Sequence, residues 1–570
     1  MLYSRVKKIW LSSYPPGVPA EIDPLSVRSV RELLERSCTE FAARSAFTQM
    51  GRSLTYGELD RHSQAFAGWL QRKAGLQRGE RVAIMLPNVL QYPIAMFGAL
   101  RGGFTVVNTN PLYTARELQH QLADSGATAI VILENFAHVL QEVLPRTKVK
   151  WVLVTAVGDF LHFPKSSIVN FVVRHRRKQV PSWRIDGALD FRNVVRSARA
   201  LQVDAVDLGP DDIAFLQYTG GTTGISKGAV LTHGNICANV LQAQAWITPY
   251  LGDDRAPGIV ITPIPLYHIF ALTANCIAFL RLGWHDVLIT NPRDFAGFVA
   301  ELRKYPFAFL SGVNTLFNAL LHTPGFAQLD FTHLRVTLGG GMAVQAAVAE
   351  RWKAITGRPI TQAWGLTETS PGVTMNPADA EFNGSIGLPL PSTEVSIRDD
   401  AGQELPIGEL GELCVRGPQV MRGYWNRPDE TAKVMLPDNW LRTGDLGHMD
   451  ERGYSYIQDR KKDMILVSGF NVYPNEVEEV AAAHLGILEC AAVAQPDEHS
   501  GEVVALFVVK KDPKLTAHDV IEVCRKSLTA YKVPRYVYFR DELPKSNVGK
   551  ILRRELREQL AKSQDTASAA

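Results

Sequence analysis

No two cysteines in this chain stand close enough to share a metal. Cys38, Cys237, Cys276, Cys414, Cys490 and Cys524 are scattered with no CxxC pair, so a zinc site has no ligand set and the expectation is six free thiols in a reducing compartment. A charge of one sign is missing too. Against 61 basic side chains stand 58 acidic ones, a formal +3, too weak a balance for a nucleic-acid binder. The N-terminus has a basic pair, Lys7 and Lys8, but Pro15, Pro16 and Pro19 interrupt the stretch after it; without an apolar leader the chain reads as cytoplasmic. One uncharged run, 259–280, is long enough to span a bilayer, yet it contains Pro263, Pro265, His268 and Asn275. It is read as buried core and active-site wall. No internal repeat is visible.

What is there is ordinary globular material, 46% apolar and 21% charged over 570 residues, more than one hydrophobic core can organise. The first half alternates strand and helix: a strand at 82–86, a helix at 90–101, a strand at 104–107, a helix at 114–125 and a strand at 129–133. The second helix opens on the capping box Thr114-x-x-Glu117 and stops at Gly126. Such alternation predicts parallel sheets covered by helices, with ligands at the carboxyl ends of strands. From about Ser392 short strands and turns take over, as at 394–398 and 412–415, a β-rich subdomain. After the charged segment 459–463 comes a compact α/β stretch with helices at 474–484 and 517–528 and strands at 491–494 and 503–509. The fold class expected is therefore α/β, with a large N-terminal domain, 1–459, and a small C-terminal α/β domain, 460–570. The tail from about Lys562 reads as disordered.

The segment 160–185 is unusual in another way. Phe160, Phe163, Ile168, Phe171, Val172 and Val173 mix with Lys165, Arg174, Arg176, Arg177, Lys178 and Arg184, without one acidic residue. Two readings stand side by side: a solvated basic loop flanking a helix, and peripheral contact with an anionic membrane, to which each basic group would contribute only ~1 kcal/mol.

The richest stretch is YTGGTTGISKG, Tyr218 to Gly228, at the end of a strand read at 213–218. Gly220, Gly221, Gly224 and Gly228 let backbone approach phosphate oxygens, Thr219, Thr222 and Thr223 offer hydroxyl donors, and Lys227 adds positive charge. A Walker loop needs Gly, four residues, then Gly-Lys-Ser/Thr. Here Lys227 follows Ser226 and precedes Gly228, which excludes that class. Alone, the run is also what a Gly/Thr-rich surface turn looks like.

Other runs join it. Gly339, Gly340 and Gly341 in LGGGMAV would let backbone pass close to a flat base. WGLTETS sets Trp364, Gly365, Leu366 and Thr367 beside Glu368, a carboxylate suited to magnesium on a triphosphate. Asp445 in TGD offers an acceptor for ribose hydroxyls, Arg460 a cation for phosphate or ribose, and Lys550 sits in the Pro/Gly-bounded loop PKSNVGKI before an amphipathic helix at 552–560. Singly, each of these is as well explained by a turn, a solvated charge or a surface lysine.

Together, in this order and spacing, they resemble the acyl-adenylate-forming superfamily of acyl-CoA synthetases, peptide-synthetase adenylation domains and beetle luciferases. Within it the resemblance is strongest to bacterial long-chain fatty acyl-CoA synthetases and covers nearly the whole chain, through PLYHIFALT, LITNPRD, SGVNTLFNALL and DRKKDMILVSGFNVYPNE as well. One departure is Trp364, where many members have tyrosine; either ring can stack on adenine.

The resemblance implies two helix-covered sheets in the N-terminal domain, a mobile C-terminal domain, and the substrates ATP, fatty acid and coenzyme A with Mg2+. It implies that Lys550 touches the carboxylate and α-phosphate, that Lys227 and the 218–228 loop steady the β- and γ-phosphates, and that Thr219 and Glu368 hold the metal. Asp445 and Arg460 would hold ribose and phosphate, and His268 would lie beside the acyl group. Lys462 is the matching hinge, Ser468 and Gly469 line the thioester-forming state, and the helix with Asn314, Leu316, Phe317 and Leu320 walls the acyl tunnel. The setting expected, from the N-terminus and the segment 160–185, is the cytoplasm, with contact at the inner face of the membrane and a homodimer left open. Three other readings share these residues: an enzyme loading a carrier protein from acyl-AMP, a luciferase-type oxygenase, and a non-catalytic acyl-binding protein. The last would be expected to lack the lysine or the glutamate, and both are present.

Overall fold

A computed structural model describes residues 8–219, 226–252, 257–497 and 499–568, with side chains described as far as 561. The strand Ala129–Leu133 is an unbroken apolar run, buried at every position, as a strand covered by helices on both faces must be. It lies in a sheet of seven strands among the described residues, in the order 189–190, 151–155, 129–133, 81–85, 105–108, 213–219, 227–232. All neighbours are parallel except the last pair, where Ile213–Thr219 and Lys227–Thr232 run antiparallel. The helix Ala115–Ser125 covers this sheet; it starts at Thr114 with both bonds of the capping box in place and ends at Gly126, left-handed at φ +62°.

A second, nine-stranded sheet runs 388–389, 372–375, 360–365, 336–339, 309–312, 259–262, 285–288, 45–49, 52–55. The uncharged run 259–280 is its strand Ile259–Thr262 followed by the helical segment 269–281. Leu266, Ile269, Leu272 and Ile277 there are fully or almost fully buried. Among the described residues no helix is long and apolar enough to cross a membrane.

The β-rich part forms its own five-stranded sheet, in which Glu394–Arg398, Gly411–Arg416, Trp440–Met449 and Ser455–Arg460 pair antiparallel in sequence order. Arg460 is its last strand residue, and the next strand, Ile465–Val467, belongs to a different sheet of the order 470–472, 465–467, 501–510, 487–497, with 536–540 beside 501–510. The chain therefore changes sheets within 461–464. In the smaller unit the strand Gly501–Lys510 shows period two: Val504, Leu506 and Val508 face one cluster with the helix Ala517–Ser527, whereas Ala505, Phe507 and Val509 face Leu556 and Leu560 of the last helix. That last helix is traced over Arg553–Ser568, past Lys562, where disorder is expected. The segment has neither proline nor glycine to stop a helix before its end.

Candidate active site

Strand register brings the phosphate-loop residues together from both sides. Thr219 and Lys227 are cross-strand partners, as are Tyr218 and Gly228. Gly220, Gly221, Thr222, Thr223 and Gly224 lie outside the described residues. Where these strands pair, a Cβ on Gly228 would stand 3.0 Å from the Tyr218 ring, so any larger residue there would have to displace that ring. The Tyr218 hydroxyl donates to Asp124 Oδ2 at 2.6 Å, and Arg427 pairs with the other oxygen of Asp124 at 2.9 Å. Lys227 Nζ is ion-paired with Glu430 at 2.7 Å and lies 4.8 Å above the Tyr424 ring. The Tyr424 hydroxyl in turn donates to Glu368 Oε1 at 2.7 Å.

Glu368 sits in the helical turn Thr367–Thr369, packed beside the strand that begins at Lys227. A tyrosine thus links two charged groups that stand out in the sequence. Neither Tyr424 nor Glu430 has a motif to announce it; only the fold brings 424–430 against this pair of strands. Among the described residues no three His, Cys, Asp or Glu side chains cluster to hold a metal unaided. A single carboxylate plus a hydroxyl suits magnesium already carried by phosphate oxygens.

The glycine run is explained by packing. A Cβ on Gly339 would meet Ile360 at 2.7 Å, Gly341 is left-handed at φ +78°, and Gly340 lies under Phe270 and the Ala363 carbonyl. At Gly365 a Cβ would fall 1.8 Å from the Pro371 carbonyl oxygen. The neighbouring Trp364 donates its indole N–H to Asp445 Oδ2 at 2.9 Å. Arg460 Nε lies 2.8 Å from the other oxygen, Oδ1, because Asp445 and Arg460 are opposite each other in the β-ladder.

Lys550 comes to this group from the smaller unit. Its loop closes on itself through the Ser546 amide to the Lys550 carbonyl (2.7 Å), and turns at Gly549, φ +82°. Hydrogen bonds and an ion pair seat that unit on the larger one. Thr315 Oγ1 donates to the Gly549 carbonyl at 2.9 Å, Asn318 Nδ2 donates to the Leu488 carbonyl at 3.0 Å, and Asp459 accepts from the Asn475 amide at 2.9 Å and pairs with Arg553 at 3.5 Å. Lys550 keeps an exposed surface, yet stands in a crowded cleft. The crowding lowers its pKa to about 8, with Arg460, Lys462 and Arg553 pushing the same way and Asp445 opposing them.

His268 feels Lys550 directly. Burial lowers the imidazole to about 4, and the lysine charge adds to the shift, so His268 is neutral near pH 7. Its Nδ1 accepts from the Phe270 amide at 3.3 Å, capping the helical segment that begins there. The ring proton is thereby left on Nε2, a neutral donor. Lys462, beyond the last strand of the β-rich sheet, is also lowered to about 8, by burial first and then by Arg460.

Other expected positions fall elsewhere. Asn314 exchanges hydrogen bonds with Gln345 (3.2 and 3.0 Å), and Phe317 is fully buried against Trp352, ring centroids 4.8 Å apart. Their polar and apolar surfaces are spent on packing. Ser468 and Gly469, both left-handed, form the exposed turn between Ile465–Val467 and Phe470–Val472, where the Ser468 amide donates to the Ser500 carbonyl. The structure does not join them to the group around Lys550.

The structure thus holds a buried carboxylate, Asp445, between an indole and a guanidinium, and brings a lysine within reach of its charge from a second unit, a donor set that suits an enzyme activating an acid on a nucleotide. The chain belongs to the AMP-binding enzyme family, matching its main domain over residues 34–425 and the AMP-binding enzyme C-terminal domain over 476–550. It is similar to the long-chain-fatty-acid–CoA ligase of Yersinia pestis, at 55% identity over 99% of this chain and 100% of that one. To the enzyme of the same name from Escherichia coli O6:H1 it is 54% identical, over 97% and 98%. Among solved structures, ATP-bound MatB from Rhodopseudomonas palustris aligns with TM-score 0.78 at 27% identity, over 93% of this chain and 99% of that one. The anthranilate–CoA ligase AuaEII in complex with anthranoyl-AMP aligns with TM-score 0.83 at 24% identity, over 96% and 99%, a likeness of fold.

Proposed function

We propose that this chain is a long-chain-fatty-acid–CoA ligase of the AMP-forming kind. A fatty carboxylate oxygen attacks the α-phosphorus of ATP, the bond to the bridging oxygen of pyrophosphate breaks, and pyrophosphate leaves. The thiol sulfur of coenzyme A then attacks the acyl-adenylate carbonyl; the carbon–sulfur bond forms, the thiol loses its proton and AMP departs. The first step brings two anions together, so cations and aligned donors must offset their repulsion. Lys550 supplies charge between carboxylate and α-phosphate, Lys227 supplies it at the departing end, and His268 Nε2–H donates to the acyl oxygen. Thr219 and Glu368 would hold magnesium, whose chemistry is to neutralise the phosphate oxygens. Asp445 and Arg460 hold the ribose and α-phosphate side.

The observation that carries this reading is that Lys550, on the smaller unit, stands near enough to His268, Asp445 and Arg460 for their charges to act on one another. After adenylation Lys550 must leave for the thiol to enter. We assign the pivot to Lys462, within the handover at 461–464, so that the units 1–459 and 460–570 turn against each other and Ser468 and Gly469 come round to the thioester state. Asn314 and Phe317 stiffen the wall of the acyl tunnel from behind. Incubated with ATP, magnesium, coenzyme A and acids from short to very long, the enzyme should form AMP and acyl-CoA in equal amounts with the long acids. AMP without acyl-CoA would point to a carrier-loading enzyme instead, and no AMP with any acid would refute the proposal.

A second reading concerns where it works. Phe163, Ile168 and Phe171 are 84%, 57% and 57% exposed, and Lys165, Arg176, Arg177 and Lys178 beside them are exposed as well. Arg174 is withdrawn from this patch by the Glu134 carboxylate, which takes three hydrogen bonds from it at 2.7–3.0 Å. We infer that the helix Lys165–Phe171 and the turn after it lie on anionic lipid at the cytoplasmic face. Vesicles rich in phosphatidylglycerol should sediment the protein at low salt, and Arg176→Glu with Arg177→Glu should release it; unchanged sedimentation would end this reading.

A further inference from the structure

We propose that Trp364 is a positioning residue for Asp445, and that its indole N–H makes the site selective for the ribose of ATP. The inference rests on the reading of Asp445 as the ribose acceptor. Asp445 is 2% exposed, so its carboxylate is aimed by protein partners and not by water. Two partners do this from different sides: Trp364 Nε1 holds Oδ2 at 2.9 Å and Arg460 Nε holds Oδ1 at 2.8 Å. A carboxylate offers about four lone-pair positions, so one on each oxygen is left for two sugar hydroxyls.

The two partners differ in permanence. Arg460 is a long, partly exposed side chain on the last strand residue before the chain crosses to the smaller unit. Trp364 is rooted in the large sheet, paired with Thr374, and followed by Gly365, where no side chain fits under the Pro371 carbonyl. Only 8% of the Trp364 surface is open. The indole is therefore the fixed anchor of the carboxylate while the second unit moves, a task that needs its N–H and not merely a flat ring. Phenylalanine keeps the ring and cannot donate.

The test is ATP–pyrophosphate exchange with a long-chain acid, comparing ATP with 2′-deoxyATP and 3′-deoxyATP. The variants are Trp364→Phe and, to guard against a packing defect, 3-benzothienylalanine at position 364, which keeps the bicyclic shape and lacks the N–H. Losing a hydrogen bond to a charged group should raise KM for ATP roughly tenfold in both variants. The turnover number should change little, and the preference for ATP over the deoxynucleotides should shrink by the same factor. Asp445→Ala should remove that preference and make the benzothienyl replacement silent. If the benzothienyl variant keeps the wild-type KM and preference, or weakens ATP and deoxynucleotides equally, the proposal is overturned and Trp364 serves by shape alone. Wild-type enzyme that exchanges without preferring ATP would overturn it through Asp445; wild-type enzyme that does not exchange at all would instead strike the proposed function.

Discussion

Lys227 and Lys550, which we assign to one site, carry the same charge, but their surroundings are opposite. Lys227 begins a strand of the seven-stranded sheet, closed in by the Glu430 carboxylate and the Tyr424 ring. Lys550 rides on a loop turned by Gly549, among Arg460, Lys462 and Arg553, where its charge is disfavoured. The first arrangement is stable without substrate; the second becomes favourable only when anions arrive. A group that must be present for one half-reaction and gone for the other is best held this way, because the ligand itself then supplies the energy that seats it.

The sharpest way to break that contrast is to separate the half-reactions. Lys550→Ala should lower adenylation by roughly 10²–10³-fold, the usual scale for removing one stabilising group from a charge-developing site. Thioester formation from supplied acyl-AMP should stay close to wild type. Lys462→Pro should do the reverse, leaving adenylation intact and blocking transfer to coenzyme A. Equal losses in both assays for both variants would mean that the lysines do not mark two states of one pivot.

A smaller effect should appear in the pH profile. Lys550 is lowered from 10.5 to about 8, so the charged form is penalised when its loop is seated. That cost is present in full below about pH 8 and fades as pH rises toward 10.5, which favours seating. The chemistry runs the other way, since it needs the ammonium. Adenylation measured as kcat/KM should therefore fall as pH rises through about 8, and Lys550→Arg, whatever its residual rate, should lose that limb. Bound phosphate favours the charged lysine, so the same limb in kcat should lie higher. His268, at about 4, should add no limb between pH 5 and 8. A profile flat to pH 10 in the wild type would contradict the assignment.

Much of this was legible in the residue order. Thr114 and Glu117 cap their helix as their spacing requires, the strand at 129–133 falls on the expected residues, and the β-rich part begins with the strand Glu394–Arg398. These are local signals, in which the deciding neighbours are a few residues away. Asp445 and Arg460 are fifteen residues apart and stand out singly, but that they face each other depends on ladder register. Tyr424, Glu430 and Asp124 stayed hidden because their importance comes from partners up to 303 residues distant, such as Arg427 on Asp124. That Phe317 packs its ring on Trp352 could not be read from the residue order either, because an apolar position marks a buried face and is silent about which distant side chain lies on it.

The finest test of the contrast lies on the helix Asn314–Leu321, which serves both units at once. Phe317 and Leu320 turn into the core of the larger unit, while Thr315 and Asn318, three residues apart and so on one face, donate to the Gly549 and Leu488 carbonyls of the smaller one. Each bond is neutral and at the edge of the cleft, worth about 0.5–1.5 kcal/mol. Thr315→Val should therefore slow adenylation only several-fold, with Asn318→Ala similar, and the double variant should approach the product of the two because the bonds share no atoms. Thioester formation should be unchanged or faster, since the seated arrangement competes with the one that admits the thiol. If both half-reactions slow together, these bonds support the fold of the helix rather than the seating of Lys550, and the contrast between the two lysines would rest on Lys550's electrostatics alone.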